Sequence, residues 1–496
     1  MKILHYNWVD YLDEEARGGG VTVYQRNIMA ALDAAPWAEP YFLASGLSYD
    51  LKSAPPRWEP VAYGLSKDRD RRFEIINSEV QSPAHHSFGD PAQVDAPMTE
   101  AVFLDFVAQT GPYDVIHFNN LEGLPARVLA VKERWPETQI VLSLHNYYPF
   151  CPQVNLWFQE RESCVDFDAG RACAKCLVDQ RPQSLLRMSG AMAYRLKRAG
   201  IRPGTWAYDS GFRWAVRSGG RLLRMVRSLR GRTSAEPVQP VAPKAPDGRA
   251  FVARRAAMQT LINAHCDHVL CMSDAVRDLA LHYGIRPDLA RTSYIGTRQA
   301  DAWQRTTPAP TILGADGTLT LCFMGYMRRD KGLFFLLDAL ESLPPAQAAR
   351  INLIVAARRG DTETMARLSA LGDRLAGVEH IDGYSAGDLD DMLARVDVGV
   401  IPVLWHDNLP QVALEMHARH IPLLTADMGG AQELSRCADM TFAAGDVADF
   451  HARIAAILSG QVDATAYWAG AMPPVDMATH LAELRRYYGA AARPAG

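Results

Sequence analysis

The chain has 496 residues, 48% of them hydrophobic, and a formal net charge of −4. At roughly 150 residues per domain this length fits two large or three smaller domains with real cores, and the apolar content excludes wholesale disorder. The near-neutral balance argues against a nucleic-acid partner, although seventeen Lys and Arg stand against four Asp and Glu between Leu177 and Met258.

Met1–Trp8 (MKILHYNW) reads as a buried first strand. It lacks the longer apolar stretch and small-residue cleavage site of a signal peptide. No run approaches ~18 uninterrupted apolar residues, so no transmembrane helix is expected, and neither end carries a lipidation signature. The expected location is cytoplasmic, at most peripheral to the inner face of the membrane.

The first half alternates strands and helices. A glycine-rich turn at Gly18–Gly20 precedes a helical segment at Thr22–Leu32, and Pro40–Ala44 reads as a strand. Lys67–Pro97 is polar and aperiodic, and reads as a loop. Asp114–Phe118 (DVIHF) and Gln139–Leu144 (QIVLSL) are short apolar runs, the pattern of parallel strands buried on both faces. From about 149 to 250 an insertion breaks the rhythm with a cysteine cluster, a basic amphipathic stretch and a Pro/Ala/Lys-rich linker. The alternation resumes with a helix at Phe251–Ala264, a strand at His268–Met272, a helix from Ser273 and a strand ending at Ile295-Gly296. Arg298–Gly317 reads as an interdomain connection. Strands follow at Thr318–Met324, Ile351–Ala356, Val378–Ile381, Val398–Val403 and Pro422–Thr425. The expected fold is α/β, with two Rossmann-like domains facing a cleft, over 1–300 and 301–475. A last helix around Ala478–Ala491 within 476–496 is expected to cross back to the first domain, as in similar proteins.

Ligands of open parallel sheets bind beyond the carboxyl ends of the strands. The loops after Trp8, Phe118, Leu144, Met324 and Val403 hold the unusual residues. Arg17-Gly18-Gly19-Gly20 would bring backbone N–H groups to an anion at a helix start, or serve as a plain flexible turn. Gly325-Tyr326-Met327-Arg328-Arg329-Asp330-Lys331-Gly332 places cations between a strand and a helix, which suits a diphosphate, although a solvated charged turn has the same composition. In WHDNLPQVALE, Asp407 and Glu415 are separated by seven residues, and Glu415 lies in an apolar helical stretch. A buried carboxylate there needs hydrogen-bond donors such as sugar hydroxyls. Met428-Gly429-Gly430 follows the next strand and offers more backbone donors. His145 ends QIVLSL, where it either faces a ligand or packs as a structural histidine; His117 is a weaker candidate.

Taken in order, RGGGVTVYQRNI, DVIHF, VLSLHNYY, the Ser-led helix at Ser273, FMGYMRRDKGL, and DNLPQVALE followed by MGGAQEL resemble retaining glycosyltransferases of the GT-B fold, family 4 (glycosyl transferases group 1). The family's Glu-x7-Glu signature corresponds here to Asp407-x7-Glu415. The resemblance implies transfer of a hexose from a nucleotide diphosphate sugar to a glycan or lipid-linked acceptor with retention, in cell-envelope or exopolysaccharide synthesis, with no cofactor for catalysis. Asp407 would contact donor-sugar hydroxyls, Glu415 the ribose, and Lys331 the diphosphate. His145 would line the donor sugar and Gly18 to Gly20 would sit near the phosphates. Arg328, Arg329, Asn408, Leu409, Gly429 and Gly430 complete the expected donor site. The chain departs from the family pattern at Asp407, one methylene shorter than Glu, at Tyr326 in place of an Arg, and at Ile295-Gly296 in place of Asn-Gly. The other readings are a sugar-binding or scaffolding protein without turnover, a nucleotide-sugar epimerase and a phosphorylase.

Cys151-x12-Cys164-x8-Cys173-x2-Cys176 suits a structural zinc with four thiolates, with free thiols or redox chemistry as the alternatives, and an iron–sulfur cluster would use the same ligands. Gly211–Arg230 interleaves arginines with apolar residues at helical spacing, which fits either a peripheral membrane contact or a helix packed on the body.

Overall fold

The computed structural model describes residues 1–15, 17–164, 166–177, 182–212, 248–314 and 316–489. Among the described residues, ten strands lie in the first part of the chain: β1 (Lys2–Tyr6), β2 (Glu39–Ser48), β3 (Arg57–Pro60), β4 (Arg72–Ile76), β5 (Val115–Phe118), β6 (Gln139–Leu144), β7 (Trp157–Phe158), β8 (Glu162–Ser163), β9 (His268–Cys271) and β10 (Ala290–Thr292). Eight of them form one sheet in the order β10-β9-β6-β5-β1-β2-β4-β3, parallel except for β3 against β4. The alternation along these strands fills two cores. Ile3, Val115 and Val141 face one side, while Leu4, Ile116, Ile140 and Leu142 face the other. A sheet covered on both faces needs this continuous apolar writing.

The second sheet runs β13-β12-β11-β14-β15-β16, all parallel, from β11 (Leu319–Met324), β12 (Ile351–Ala357), β13 (Gly377–Asp382), β14 (Val398–Ile401), β15 (Leu423–Ala426) and β16 (Thr441–Phe442). The chain is thus α/β with two parallel-sheet domains in the GT-B arrangement. None of the described helices is long and apolar enough to cross a membrane.

Several segments differ from the sequence reading; β3 was not expected, and the strand expected to end at Ile295-Gly296 ends at Thr292. Lys67–Pro97, expected as a loop, contains β4. Its two charged residues hide the strand pattern: Arg72 and Glu74 are both buried, and Arg72 pairs with Asp10 at 2.9 Å. Arg298–Gly317 contains a helix, Ala300–Arg305. β16, with two residues, and the hairpin β7–β8 are too short to show a period.

The helix Met477–Tyr487 packs against α1 (Gly19–Asp33), with Asp476 capping its start through Thr479 N–H at 2.7 Å. It delivers His480 and Tyr488 to a buried polar shell of the first domain. Tyr24 Oη meets His480 Nε2 at 2.9 Å, and Tyr488 Oη meets His117 Nδ1 at 2.6 Å, with Ser143 on the other ring nitrogen at 2.7 Å. The rings of His5 and His117 lie 4.9 Å apart, and so do those of Tyr24 and His145.

Candidate active site in the interdomain cleft

A cleft of about 590 Å3 separates the domains. Its walls come from the strand ends that parallel sheets use for ligands. On the first domain these are Gly19, Gly20, Thr22 and Tyr24 of α1, and His145 after β6. On the second they are Gly325, Tyr326 and Lys331 after β11, Arg358 after β12, Tyr384 after β13, and Trp405 to Glu415 after β14.

α1 starts directly at the glycines. Gly18 takes the N-cap position with no side-chain cap, so nothing on the side chains claims the first-turn N–H groups. A Cβ on Gly18 would lie 1.9 Å from Thr22 Oγ1, so the tight entry into α1 requires glycine. Gly19 has φ +53°, and a Cβ on Gly20 would stand 3.1 Å from Gln411 across the cleft. Backbone N–H groups at a helix start bordered by glycine form an anion site.

Lys331 and Asp407 meet directly, Nζ to Oδ2 at 2.5 Å, and the ammonium also lies 4.9 Å from the Trp405 ring centroid. Asp407 is buried and Lys331 reaches it from a part-exposed position. A desolvated pair of this kind stands or falls together, because removing one partner leaves a buried charge. Gly332 holds the lysine loop in place. It has φ +78°, and a Cβ there would overlap Pro402 O at 1.6 Å. Gly332→Ala is therefore expected to destabilise the second domain by about 3 kcal/mol or more, read as a lower urea midpoint at unchanged m-value. An unshifted midpoint would refute this packing.

Glu415 accepts a hydrogen bond from Tyr384 Oη at 3.2 Å, and burial pushes its carboxyl up to about 7, with Arg419 opposing the rise. His145 is kept neutral: burial, and secondarily His480, push it down to about 3. Its Nε2 is buried without a partner at the cleft wall. Asn408 ties the domains together through Nδ2 to Leu144 O at 2.7 Å, and Leu409 lines the cleft beside it. Glu433 adds a second tie by accepting the N–H groups of Asp274 and Ala275, each at 2.8 Å, at the start of the helix that Ser273 caps.

Several expected donor contacts fall elsewhere. Arg328 pairs with Asp330 at 3.0 Å, and Arg329 lies 5.5 Å from the Phe334 ring centroid. Both arginines border a separate hollow shared with Trp157, Gln159, Glu160 and Arg161 of the insertion, not the cleft. The cleft's second-domain cations are instead Lys331 and Arg358. Gly429 and Gly430 lie behind the cleft loop and do not line it. The Gly430 N–H is taken by Asp407 O at 2.9 Å, and a Cβ on Gly429 would come within 2.1 Å of the same carbonyl. Their role is to let two backbones touch. Gly18 likewise shapes the helix entry while Gly19 and Gly20 face the opening. Tyr384 and Arg358 were missed, although the strand-end rule applied to β12 and β13 points to both.

Of the four clustered cysteines, Cys151 precedes the hairpin β7–β8, Cys164 directly follows it, and Cys173 and Cys176 lie on the helix Arg171–Cys176. Among the described residues, however, no group of three or more His, Cys, Asp or Glu side chains is disposed to hold a metal ion. Cys176 Sγ donates to Gln153 Oε1 at 2.8 Å, Cys164 turns toward Asp166 O, and burial followed by the neighbouring thiols pushes Cys164 and Cys176 up to about 11 and Cys173 to about 12. Of the basic stretch Gly211–Arg230, all but Gly211 and Phe212 lie outside the described residues.

Two facing parallel-sheet domains with a ligand cleft between them define the GT-B class of nucleotide-sugar fold. Residues 310–470 match the model of the Glycosyl transferases group 1 family. The whole chain superposes on Anabaena HepE in complex with UDP, at TM-score 0.55 and 16% identity over 99% of this chain and 100% of that one. It is also similar to a sucrose-phosphate synthase from Thermosynechococcus elongatus, at TM-score 0.54 and 14% identity over 99% and 100%. An α,α-trehalose 6-phosphate synthase from Burkholderia multivorans gives 0.54 and 14% over 99% and 98%. No curated protein matches the chain in sequence.

Proposed function

We propose that the chain is a retaining hexosyltransferase of family 4 that takes its sugar from a UDP-linked donor. The observation that carries this reading is the convergence in one cleft of Glu415, the Lys331–Asp407 pair, His145 and the uncapped start of α1. Glu415 would hold the ribose hydroxyls, and Asp407 and His145 the sugar. Lys331, Arg358 and the first-turn N–H groups of α1 would meet the charge that develops on the departing diphosphate, which is the largest stabilising effect available to such a site. UDP is chosen because a protein of this fold, HepE, holds UDP in its crystals. The acceptor side is read as a glycan or lipid-linked glycan in envelope or exopolysaccharide synthesis, met from the cytoplasm at the membrane surface.

The test is a thermal-shift panel of UDP-, GDP-, ADP- and dTDP-sugars on wild type and Glu415→Ala. A UDP-sugar at ~100 times Kd should stabilise wild type by about 2.7 kcal/mol. Glu415→Ala should weaken UDP binding by about 3 kcal/mol, on the order of a hundredfold, because two charge-assisted hydrogen bonds are lost. Since the Glu415 carboxyl titrates near 7, UDP affinity should rise from pH 6 to pH 8 as the carboxylate forms, and Glu415→Gln should flatten that rise. A panel with no response would instead favour a protein that binds sugar without turnover.

A further inference from the structure

We propose that the amino-terminal domain holds a second compartment, roofed by the helix Gln183–Arg198 of the insertion, that receives a hydroxyl-rich, non-phosphorylated saccharide residue through Glu74 and Gln81. Its role as the acceptor subsite rests on the donor reading above.

The compartment measures about 260 Å3 and opens at the carboxyl ends of β1, β2 and β4. That is just below the ~300–1,000 Å3 of ordinary ligand pockets, a size for one sugar ring rather than a chain. Trp8, Asp10, Leu12 to Glu15 and Arg17 of one loop line it, shortly before Gly19 and Gly20 of the cleft. Two compartments that share one loop are placed for two substrates of one reaction.

Two of the side chains that line it each carry an oxygen without a partner. Glu74 is 5% exposed and Gln81 is 2% exposed, and the Oε1 atom of each is buried with nothing bonded to it. The remaining polar atoms of both side chains are committed. Glu74 Oε2 accepts from Ser48 Oγ at 2.5 Å and from Tyr63 Oη at 2.8 Å, while Gln81 Nε2 donates to Gln183 O at 3.0 Å. Burial without a paired cation holds the Glu74 carboxyl near 7. Buried oxygens left unbonded are costly, so a pair of them in one hollow marks where donor groups of a ligand belong.

The surrounding charge selects the ligand. Five carboxyl groups line the compartment (Asp10, Asp13, Glu14, Glu15 and Glu74) against Arg17, Arg72 and Lys197. Those three cations are already spent: Arg72 on Asp10 at 2.9 Å, Lys197 on Glu15 at 2.5 Å, and Arg17 on Asp13 at 2.8 Å. Glu14 is matched by Arg202 from outside the lining, so Glu74 is the one lining carboxyl without a basic partner, and no unpaired Lys or Arg among the lining residues is left to meet a phosphate. Neutral hydroxyls need no such cation, and the rings of Trp8, Tyr49 and Tyr63 supply apolar wall for a sugar face. The roof is seated closely, since a Cβ on Gly190 would come within 2.8 Å of Leu47 O.

Saturation-transfer NMR on the full chain tests this with the methyl glycosides of glucose, galactose, mannose and rhamnose, and with glucose 6-phosphate and mannose 6-phosphate. UDP titration is run in parallel. At least one methyl glycoside should bind wild type, with both sugar phosphates weaker than it. The Glu74→Gln/Gln81→Leu double variant should weaken that glycoside by about tenfold, and Gln81→Leu alone, the gentler change, by about threefold. UDP affinity should stay within about twofold in both, which also reports that they fold. Three outcomes would overturn the compartment: no glycoside binding, tighter binding of the phosphates, or glycoside binding indifferent to Gln81→Leu. If the glycoside obeys the variants but UDP never binds, the compartment survives, and what is overturned is the donor reading and with it the acceptor role.

Discussion

Lys331→Ala is expected to lower turnover of a UDP-sugar by about a thousandfold, or ~4 kcal/mol of transition-state stabilisation. The lysine is the cleft's most closely held cation, fixed by Asp407 at 2.5 Å and by the Gly332 turn against Pro402. A preorganised charge costs no reorganisation when the diphosphate departs, which is why its loss weighs so much. Asp407→Asn separates the two members. It leaves the lysine without its internal partner, so UDP affinity should hold or tighten by up to roughly tenfold while turnover falls by about a hundredfold. Steady-state kinetics together with calorimetric UDP titration reads both numbers. UDP affinity and turnover of Lys331→Ala both within threefold of wild type would remove the lysine from the mechanism.

Acid is expected to unseat the Met477–Tyr487 helix before it affects the second sheet. Burial pushes His5 and His145 down to about 3, His480 to about 4, and His117 well below its ordinary value. In the folded chain these rings stay neutral, while unfolded histidines take up protons below about 6.5. The unfolded state therefore binds more protons, and stability falls as pH drops from 6.5 toward 4. For His5, His145 and His480 the stability lost across that window is on the order of 3 kcal/mol each. Glu74, Glu122 and Glu415, all pushed up to about 7 by burial, act in the opposite sense, since they lose stability as pH rises from about 4.5 to 7. Their effect partly cancels the histidines above about 4.5 and vanishes below it, so the steepest loss should come below pH 5. Urea midpoints between pH 4 and 8, with His480→Gln in parallel, test this. The variant should be less stable at neutral pH and show a slope smaller by about one proton; an unchanged slope would place the loss elsewhere.

The architecture was legible because β1, β5, β6, β11 and β14 are short apolar runs followed by their loops, and parallel sheets make ligand loops of strand ends. β4 was not legible, because Arg72 and Glu74 interrupt it, and their burial depends on Asp10, Ser48 and Tyr63 far away in sequence. The same limit governs the site. Glu415 stands out as an acid in an apolar helix, and Lys331 as a cation beside a glycine. Whether Arg328 and Arg329 turn toward the cleft depends on Asp330 and Phe334, and spacing alone does not encode that. Gly429 and Gly430 looked like donors of N–H groups. Their close approach to the backbone of Asp407 and Asn408 shows that they are there for their missing side chains.

The pairing of Tyr24 with His480 and of His117 with Tyr488 spans 456 and 371 residues. Contacts so distant along the chain form late, because the intervening loop must close first. All the strands of the first sheet exist once residue 292 has been made, but the two groups that seal its histidine shell follow almost two hundred residues afterwards. At ~5–20 residues per second of synthesis, that leaves roughly ten to forty seconds in which the shell stands open on a nascent chain. The second domain is made within that interval. Tyr24 on the cleft wall is therefore backed by a histidine made only after every strand of the second sheet.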